Sequence, residues 1–174
     1  LKEGLKGKKI GVPWQFLETL SDTMRESFKS ALNIYKELGV TLVDINLDEL
    51  RYSIPLYYII APAEASTNLA RFDGIQFSKR SLKAKTLDDV YELSKEDGFG
   101  PEVKQRILLG TFVLSSGFQD AYYKKALRVR EIIIQKFNQV FQECDLIAMP
   151  TSPSGAFPLG SISDPIKLYL QDLS

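Results

Sequence analysis

Apolar positions near the start of the chain follow two periods in turn. Residues 9–13 are mostly apolar after Lys9 and predict a short strand. The strand should end at Pro13, because proline cannot donate a hydrogen bond to a continuing ladder. A helical period follows, and Ser21, Asp22 and Thr23 signal its start. Thr23 and Glu26 are spaced as a capping box, and Gly39 is placed to end the helix. Residues 40–45 read as a second strand, so this order predicts a parallel pair joined by a right-handed crossover.

The middle of the chain is predicted to be helical, with an interruption. Pro62 removes an internal hydrogen bond and should kink the helix that carries Tyr57. Residues 74–85 have little periodicity and are predicted to form a surface loop. Thr86 is expected to cap the next helix, and Pro101 is expected to begin the one after it.

The last part of the chain combines a long helix, a strand and a loop. Residues 120–143 keep one apolar face, and residues 145–149 form a third strand pattern. The proline-containing residues 150–153 leave the carboxyl end of that strand, which is where ligands bind in open α/β sheets. The pattern as a whole predicts an α/β fold.

Composition narrows the classes of function. With 174 residues, of which 44% are hydrophobic, the chain can bury a substantial core. Its 22 basic and 22 acidic residues give a formal charge of zero, so it has no global field that would attract nucleic acid or an anionic membrane. Because histidine is absent from the sequence, the chain by itself cannot build a Ser-His-Asp triad or the common zinc sites.

The single cysteine and the length of the apolar runs indicate a compartment. Cys144 cannot form an internal disulfide, which fits a reducing environment, and we interpret it as a packed thiol rather than a nucleophile. No apolar run approaches the roughly 20 residues that span a bilayer, and no signal peptide precedes the first strand. We therefore expect a cytoplasmic protein with no membrane partner. The chain opens on Leu1 rather than methionine, which suits a segment of a longer protein.

Several polar residues have ordinary structural interpretations when they are taken alone. Arg106 could be a salt-bridged helix residue, Tyr57 a core aromatic, and Asp172 an exposed acid near the end. The motif that begins at Ser115 lacks the flanking glycines of a serine-nucleophile element, and it is predicted to end a helix. The basic residues around Lys124 are predicted to form a solvated helix face rather than an RNA site.

Three stretches carry residue choices beyond what folding requires, namely residues 57–74, 98–125 and 149–153. They closely resemble the amidase-signature family and, within it, the glutaminase A subunits of glutamyl-tRNA(Gln) and aspartyl-tRNA(Asn) amidotransferases. The resemblance covers almost the whole chain. It implies that residues 1–174 are a single segment from the C-terminal side of an amidase-signature domain, whose mixed sheet is covered by helices on both faces.

The resemblance also implies a set of substrate-binding residues. Arg106 matches an arginine that holds the α-carboxylate of glutamine, Asp172 an acid that faces the α-ammonium, and Tyr57 a tyrosine that lines the pocket. A free amino acid requires a donor fork for its carboxylate, which arginine supplies, and an anion for its ammonium. Relatives often have two consecutive arginines where this chain has Gln105 followed by Arg106, so the second arginine is kept.

The family's catalytic lysine and its Gly-Gly-Ser-Ser-Gly-Gly-Ser element are not found in this sequence. The resemblance implies that a serine attacks the glutamine amide, that a lysine acts as base through a second serine, and that a glutamyl-enzyme forms. We therefore predict no catalytic residue in this chain and no activity of the chain alone. The implied partners are glutamine, the B and C subunits, and mischarged tRNA bound through the complex. The implied cofactors are ATP and Mg²⁺, used by a partner subunit.

Two other functions stay open at this point. The chain could belong to a stand-alone amidase that acts on a different amide, or it could be a non-enzymatic α/β binding domain. If it is a segment of a larger enzyme, we expect exposed strand edges or exposed apolar surface where the rest of that enzyme packs.

Overall fold

A computed structural model of the chain describes residues 4–162 and residue 164. It contains two compact units, which we name unit 1 (Leu1–Ser53 with Ile132–Ser174) and unit 2 (Ile54–Glu131). That residues 1–174 form a single segment of one domain stays a prediction.

In the described residues, unit 1 contains one sheet of three parallel strands. Strand β1 (Lys9–Val12) pairs with β2 (Thr41–Asp44) on one side and with β3 (Leu146–Ile147) on the other. The α/β class and the parallel first pair are confirmed. The third strand is shorter than the pattern over residues 145–149 predicted.

The helix between β1 and β2, α1 (Asp22–Glu37), begins before the position where the capping box was expected. Ser21 is its N-cap, and the Ser21 hydroxyl accepts a hydrogen bond from the Met24 amide at 3.4 Å. The Thr23 box was therefore wrong, because Thr23 already lies within the first helical turn. Gly39 follows the helix with φ +86°, as predicted for a residue that ends it in the left-handed conformation.

Two apolar clusters form the core of unit 1. One comprises Ile10, Val12, Leu32 and Val40, and the other comprises Ile45, Leu47, Val140 and Cys144. Cys144 is buried with its thiol 3.4 Å from the Val140 carbonyl oxygen, which confirms the prediction of a packed thiol. Gly11 is needed beside it, since a Cβ at that position would lie 2.9 Å from both the Cys144 sulfur and the Ile45 side chain.

Exposed apolar surface and open sheet edges are present in unit 1, as expected for a segment of a larger enzyme. Among the described strands, β2 and β3 each pair on one side only. Large apolar side chains that stay exposed in this unit include Ile34, Leu38, Ile132, Ile134, Phe141 and Leu146. Short 3₁₀ helices cover Trp14–Thr19 and Asp48–Tyr52.

Unit 2 is helical. It contains most of α2 (Ser53–Leu69), all of α3 (Leu87–Gly98) and α4 (Pro101–Leu114), a π-helical turn (Gln119–Lys124) and the first residues of α5 (Lys125–Glu143). Pro62 lies inside α2 and does not end it. The long helix predicted over residues 120–143 begins instead as the π-helical turn.

The turn that begins at Ser115 ends α4, as predicted. Ser115 is the C-cap of this helix, and Gly117 has φ +87°. Both features are typical of a helix terminus, so the motif does not have the geometry of a nucleophile element.

A glycine allows α4 to approach α2 closely. A Cβ on Gly110 would overlap the carbonyl oxygen of Pro62 and would lie 2.8 Å from the Ser66 hydroxyl. No side chain fits at this point, so backbone meets backbone, and Gly110 is itself buried. This contact brings the α4 backbone at Gly110 against the α2 backbone at Pro62.

The segment before α3 is irregular, as predicted, but hydrogen bonds from Ser81 hold it against α3. Ser81 is buried; its amide donates to the Ser94 hydroxyl at 3.0 Å, and its hydroxyl donates to Asp97 at 2.6 Å. Thr86 and Asp89 then form a complete capping box at the start of α3. The predicted cap at Thr86 is confirmed.

Candidate functional site

Two of the three predicted substrate-binding residues meet in unit 2. Tyr57 lies in the second turn of α2, and Arg106 lies in the second turn of α4. Nη1 of Arg106 donates a hydrogen bond to the Tyr57 hydroxyl oxygen at 3.0 Å, and the guanidinium carbon lies 6.0 Å from the centre of the Tyr57 ring. These two residues, 49 positions apart in sequence, therefore form one contact.

A third residue completes the arrangement around the guanidinium. Glu102 lies one turn before Arg106 on α4, and its Oε1 accepts a hydrogen bond from Nε of Arg106 and forms an ion pair with Nη2, both at 3.3 Å. The spacing of four residues places both side chains on one helix face. Glu102 was not predicted as a site residue; the only signal for it in the sequence is its position four residues before the candidate Arg106.

The electrostatics keep Arg106 charged. The hydrogen bond to Tyr57 raises the pKa of the Arg106 guanidinium above its ordinary value, and the hydrogen bond and charge of Glu102 act in the same direction. The Arg106 side chain is 31% exposed, so it remains accessible to a ligand. It is a permanent cation held in a fixed position at the surface of unit 2.

The Tyr57 ring is also held in place by a packing contact. The Tyr58 ring packs edge-on against the Tyr57 ring with centroids 5.2 Å apart and an interplanar angle of 85°. On the other helix, Gly110 lies one turn after Arg106 and fixes α4 against Pro62. The contact between Tyr57 and Arg106 is therefore supported from both helices.

The guanidinium retains donors for an anion. Arginine has five N–H groups. Glu102 faces the N–H of Nε and one N–H of Nη2, and the Tyr57 hydroxyl accepts a hydrogen bond from one N–H of Nη1. Within the described part of the chain, one N–H on Nη1 and one on Nη2 remain, which is the number that a bidentate carboxylate requires.

Asp172, the third predicted substrate-binding residue, lies outside the described residues. Its place opposite a substrate ammonium therefore stays a prediction, as do the substrate roles of Tyr57 and Arg106. Lys124 forms an exposed ion pair with Asp120 at 2.6 Å, as a solvated helix face would.

Two kinds of feature are absent from residues 4–162 and 164. No cluster of three or more His, Cys, Asp or Glu side chains in these residues could hold a metal ion. Over the same residues, no helix combines the length and hydropathy needed to cross a membrane.

Comparison with known proteins places the whole chain in one group. It is 58% identical over 172 residues to the A subunit of glutamyl-tRNA(Gln) amidotransferase from Protochlamydia amoebophila (strain UWE25), covering 99% of this chain and 35% of that protein. It is 48% identical to the protein of the same name from Myxococcus xanthus (strain DK1622), covering 99% of this chain and 36% of that protein. The chain thus spans about a third of the length of these relatives.

Solved structures agree on the fold. The crystal structure of the A subunit of glutamyl-tRNA(Gln) amidotransferase from Thermotoga maritima matches with a TM-score of 0.67 and 35% identity, over 98% of this chain and 32% of that one. A crystal structure of an amidase matches with a TM-score of 0.65 and 22% identity, over 91% of this chain and 31% of that one. The sequence profile of the family described as Amidase matches residues 1–173. The chain belongs to the amidase family.

Proposed function

We propose that this chain is the glutamine-binding part of a glutaminase subunit. The complete protein would hydrolyse glutamine to glutamate and ammonia, and the ammonia would amidate glutamate or aspartate mischarged on tRNA(Gln) or tRNA(Asn). The partners would be B and C subunits in the cytoplasm, with ATP and Mg²⁺ used by a partner subunit. Support comes from the relatives named as A subunits of glutamyl-tRNA(Gln) amidotransferase and from the geometry around Arg106.

The observation that carries the proposal is the hydrogen-bonded Arg106. A free amino acid differs from a simple amide in its α-carboxylate, and a charged fork with two N–H groups to spare fits that group. Tyr57 and Glu102 hold the fork in place before a ligand arrives, which lowers the entropy lost on binding. Asp172 stays the residue predicted from the family resemblance to neutralise the α-ammonium.

The test uses the full-length protein that contains this chain and measures ammonia release at varied glutamine concentration. Arg106→Ala removes a charged bidentate contact, so KM for glutamine should rise by an amount equivalent to roughly 2 to 5 kcal/mol. Arg51→Ala is the matched control, since Arg51 also stacks on a tyrosine, Tyr52, at 4.9 Å from the ring centre.

An unchanged KM for glutamine in Arg106→Ala would overturn the proposal. That result would favour the alternative in which the protein is a stand-alone amidase, because an amide without an α-carboxylate has no need of this arginine.

A further inference from the structure

We propose that Glu102 is a positioning residue that decides which edge of the Arg106 guanidinium meets the substrate carboxylate. This inference rests on the proposed function. Both contacts of Glu102 with Arg106 go to the same edge of the guanidinium, the one formed by Nε and Nη2.

A guanidinium offers a carboxylate two edges of similar quality. The side edge presents Nε–H and Nη2–H, and the end edge presents Nη1–H and Nη2–H; each pair can form two parallel hydrogen bonds with one carboxylate. In this protein the side edge is covered by Glu102, whose Oε1 lies 3.3 Å from both nitrogens. This leaves the end edge for a substrate carboxylate, because Nη1 and Nη2 each keep one N–H that is not donated to Tyr57 or Glu102 within the described residues.

Charge reinforces this choice. The Glu102 carboxylate would repel a second carboxylate at the side edge, whereas the end edge includes Nη1, which contacts the Tyr57 hydroxyl instead of an acid. Binding at the side edge would rotate the substrate about the arginine and move its amide away from the position reached from the end edge. Glu102 thus prevents a binding mode in which glutamine occupies the side edge and does not react.

Loss of Glu102 has a distinctive kinetic consequence. In Glu102→Ala, glutamine can occupy both edges, and the side-edge complexes are unproductive. Unproductive binding lowers kcat and KM for glutamine by the same factor, about twofold if the two edges bind equally well and more if the side edge binds more tightly. A residue that only supported the fold would instead lower kcat/KM or the amount of folded protein.

The experiment measures kcat and KM for glutamine in the full-length protein carrying Glu102→Ala, Glu102→Gln or Asp120→Ala. Glutamine keeps an acceptor oxygen for the side edge, so Glu102→Gln should restore both constants to the wild-type values. Asp120→Ala removes an exposed acid with the same four-residue spacing, from its pair with Lys124, and should leave both constants unchanged.

Three results would overturn the inference: unchanged constants in Glu102→Ala, a raised KM with kcat unchanged, or a glutamine variant that behaves like the alanine variant. Thermal unfolding of each variant shows whether it has folded. Arg106→Ala measured alongside separates the two proposals. If its KM rises while Glu102→Ala behaves as wild type, only the role of Glu102 fails.

Discussion

Gly110 lies directly against the carbonyl oxygen of Pro62, and this backbone contact sets the distance between the two helices that carry Arg106 and Tyr57. Gly110→Ala would insert a methyl group where none fits, so the free energy of unfolding should fall by about 1 to 3 kcal/mol. The same displacement should raise KM for glutamine in the full-length protein. Urea unfolding and ammonia release measure the two effects.

Gly155→Ala is the matched control for that substitution, since a Cβ at Gly155 would meet no atom within 4 Å. It should change neither the unfolding free energy nor KM. Equal stability of Gly110→Ala and the wild type would contradict the close packing of α4 on α2.

The Tyr57 hydroxyl makes a separate prediction possible. Tyr57→Phe removes the acceptor for Nη1 of Arg106 but keeps the ring. Because Tyr57 is 50% exposed, we expect less than the full value of a charged hydrogen bond, about 1 kcal/mol, or roughly a fivefold rise in KM for glutamine. Tyr52→Phe, at a tyrosine of similar exposure, should leave KM unchanged. Equal KM values in both variants would show that the hydroxyl does not position Arg106.

The chain by itself should release no ammonia from glutamine. Its sequence lacks the Gly-Gly-Ser-Ser-Gly-Gly-Ser element that carries the family's nucleophile, so a binding surface would be present without an attacking group. The purified 174-residue chain is assayed beside the full-length protein at the same molar concentration. Ammonia release from the chain above the background without protein would contradict this prediction.

Acid should weaken the capping box of α3. Backbone hydrogen bonds from Lys85 and Thr86 hold the pKa of Asp89 below its ordinary value. The folded state therefore binds its proton less readily than the unfolded state. The resulting stabilisation is present above about pH 4, the ordinary aspartate pKa, and is lost as the pH falls through the lower folded value.

Asp89→Asn tests this pH dependence. The variant should be less stable than the wild type at neutral pH, and the difference in unfolding free energy should shrink below about pH 4. Asp88→Asn, one position earlier and outside the capping box, is the control. A difference for Asp89→Asn that stays constant with pH would contradict the prediction. Other aspartates whose pKa is lowered, and which contribute to the general loss of stability in acid, are Asp73, Asp97, Asp120 and Asp145.

Local signals in the sequence predicted the end of a helix or strand correctly where only one candidate residue was present. Gly39 and the proline after β1 define the ends of their elements, so the strand-helix-strand order was predictable. Ser21 and Thr23 both carry a capping oxygen within one turn; both were predicted as start signals, but the capping box was placed on Thr23, whereas Ser21 is the N-cap. The π-helical turn at Gln119–Lys124 has no distinct pattern, since its apolar spacing reads as an ordinary helix.

Contacts between residues far apart in the sequence could not be predicted from local patterns. The hydrogen bonds of the buried Ser81 join residues with no shared period, so its loop was predicted to lie on the surface. The resemblance supplied Arg106 and Tyr57 as residue identities, whereas their hydrogen bond depends on the crossing of α2 and α4 at Gly110. Glu102 was missed because an acid and an arginine four positions apart are common on solvated helix faces.

The burial of Cys144 makes the labelling rate of its thiol a measure of how often the core of unit 1 opens. It is the only cysteine in the sequence, and its sulfur is enclosed beside Gly11 and Ile45, so a thiol reagent must wait for that core to open. The rate of labelling under native conditions therefore reports the opening frequency of this core, without any engineered probe. Unit 2 has no thiol, so a signal from the reagent can be assigned to unit 1 alone.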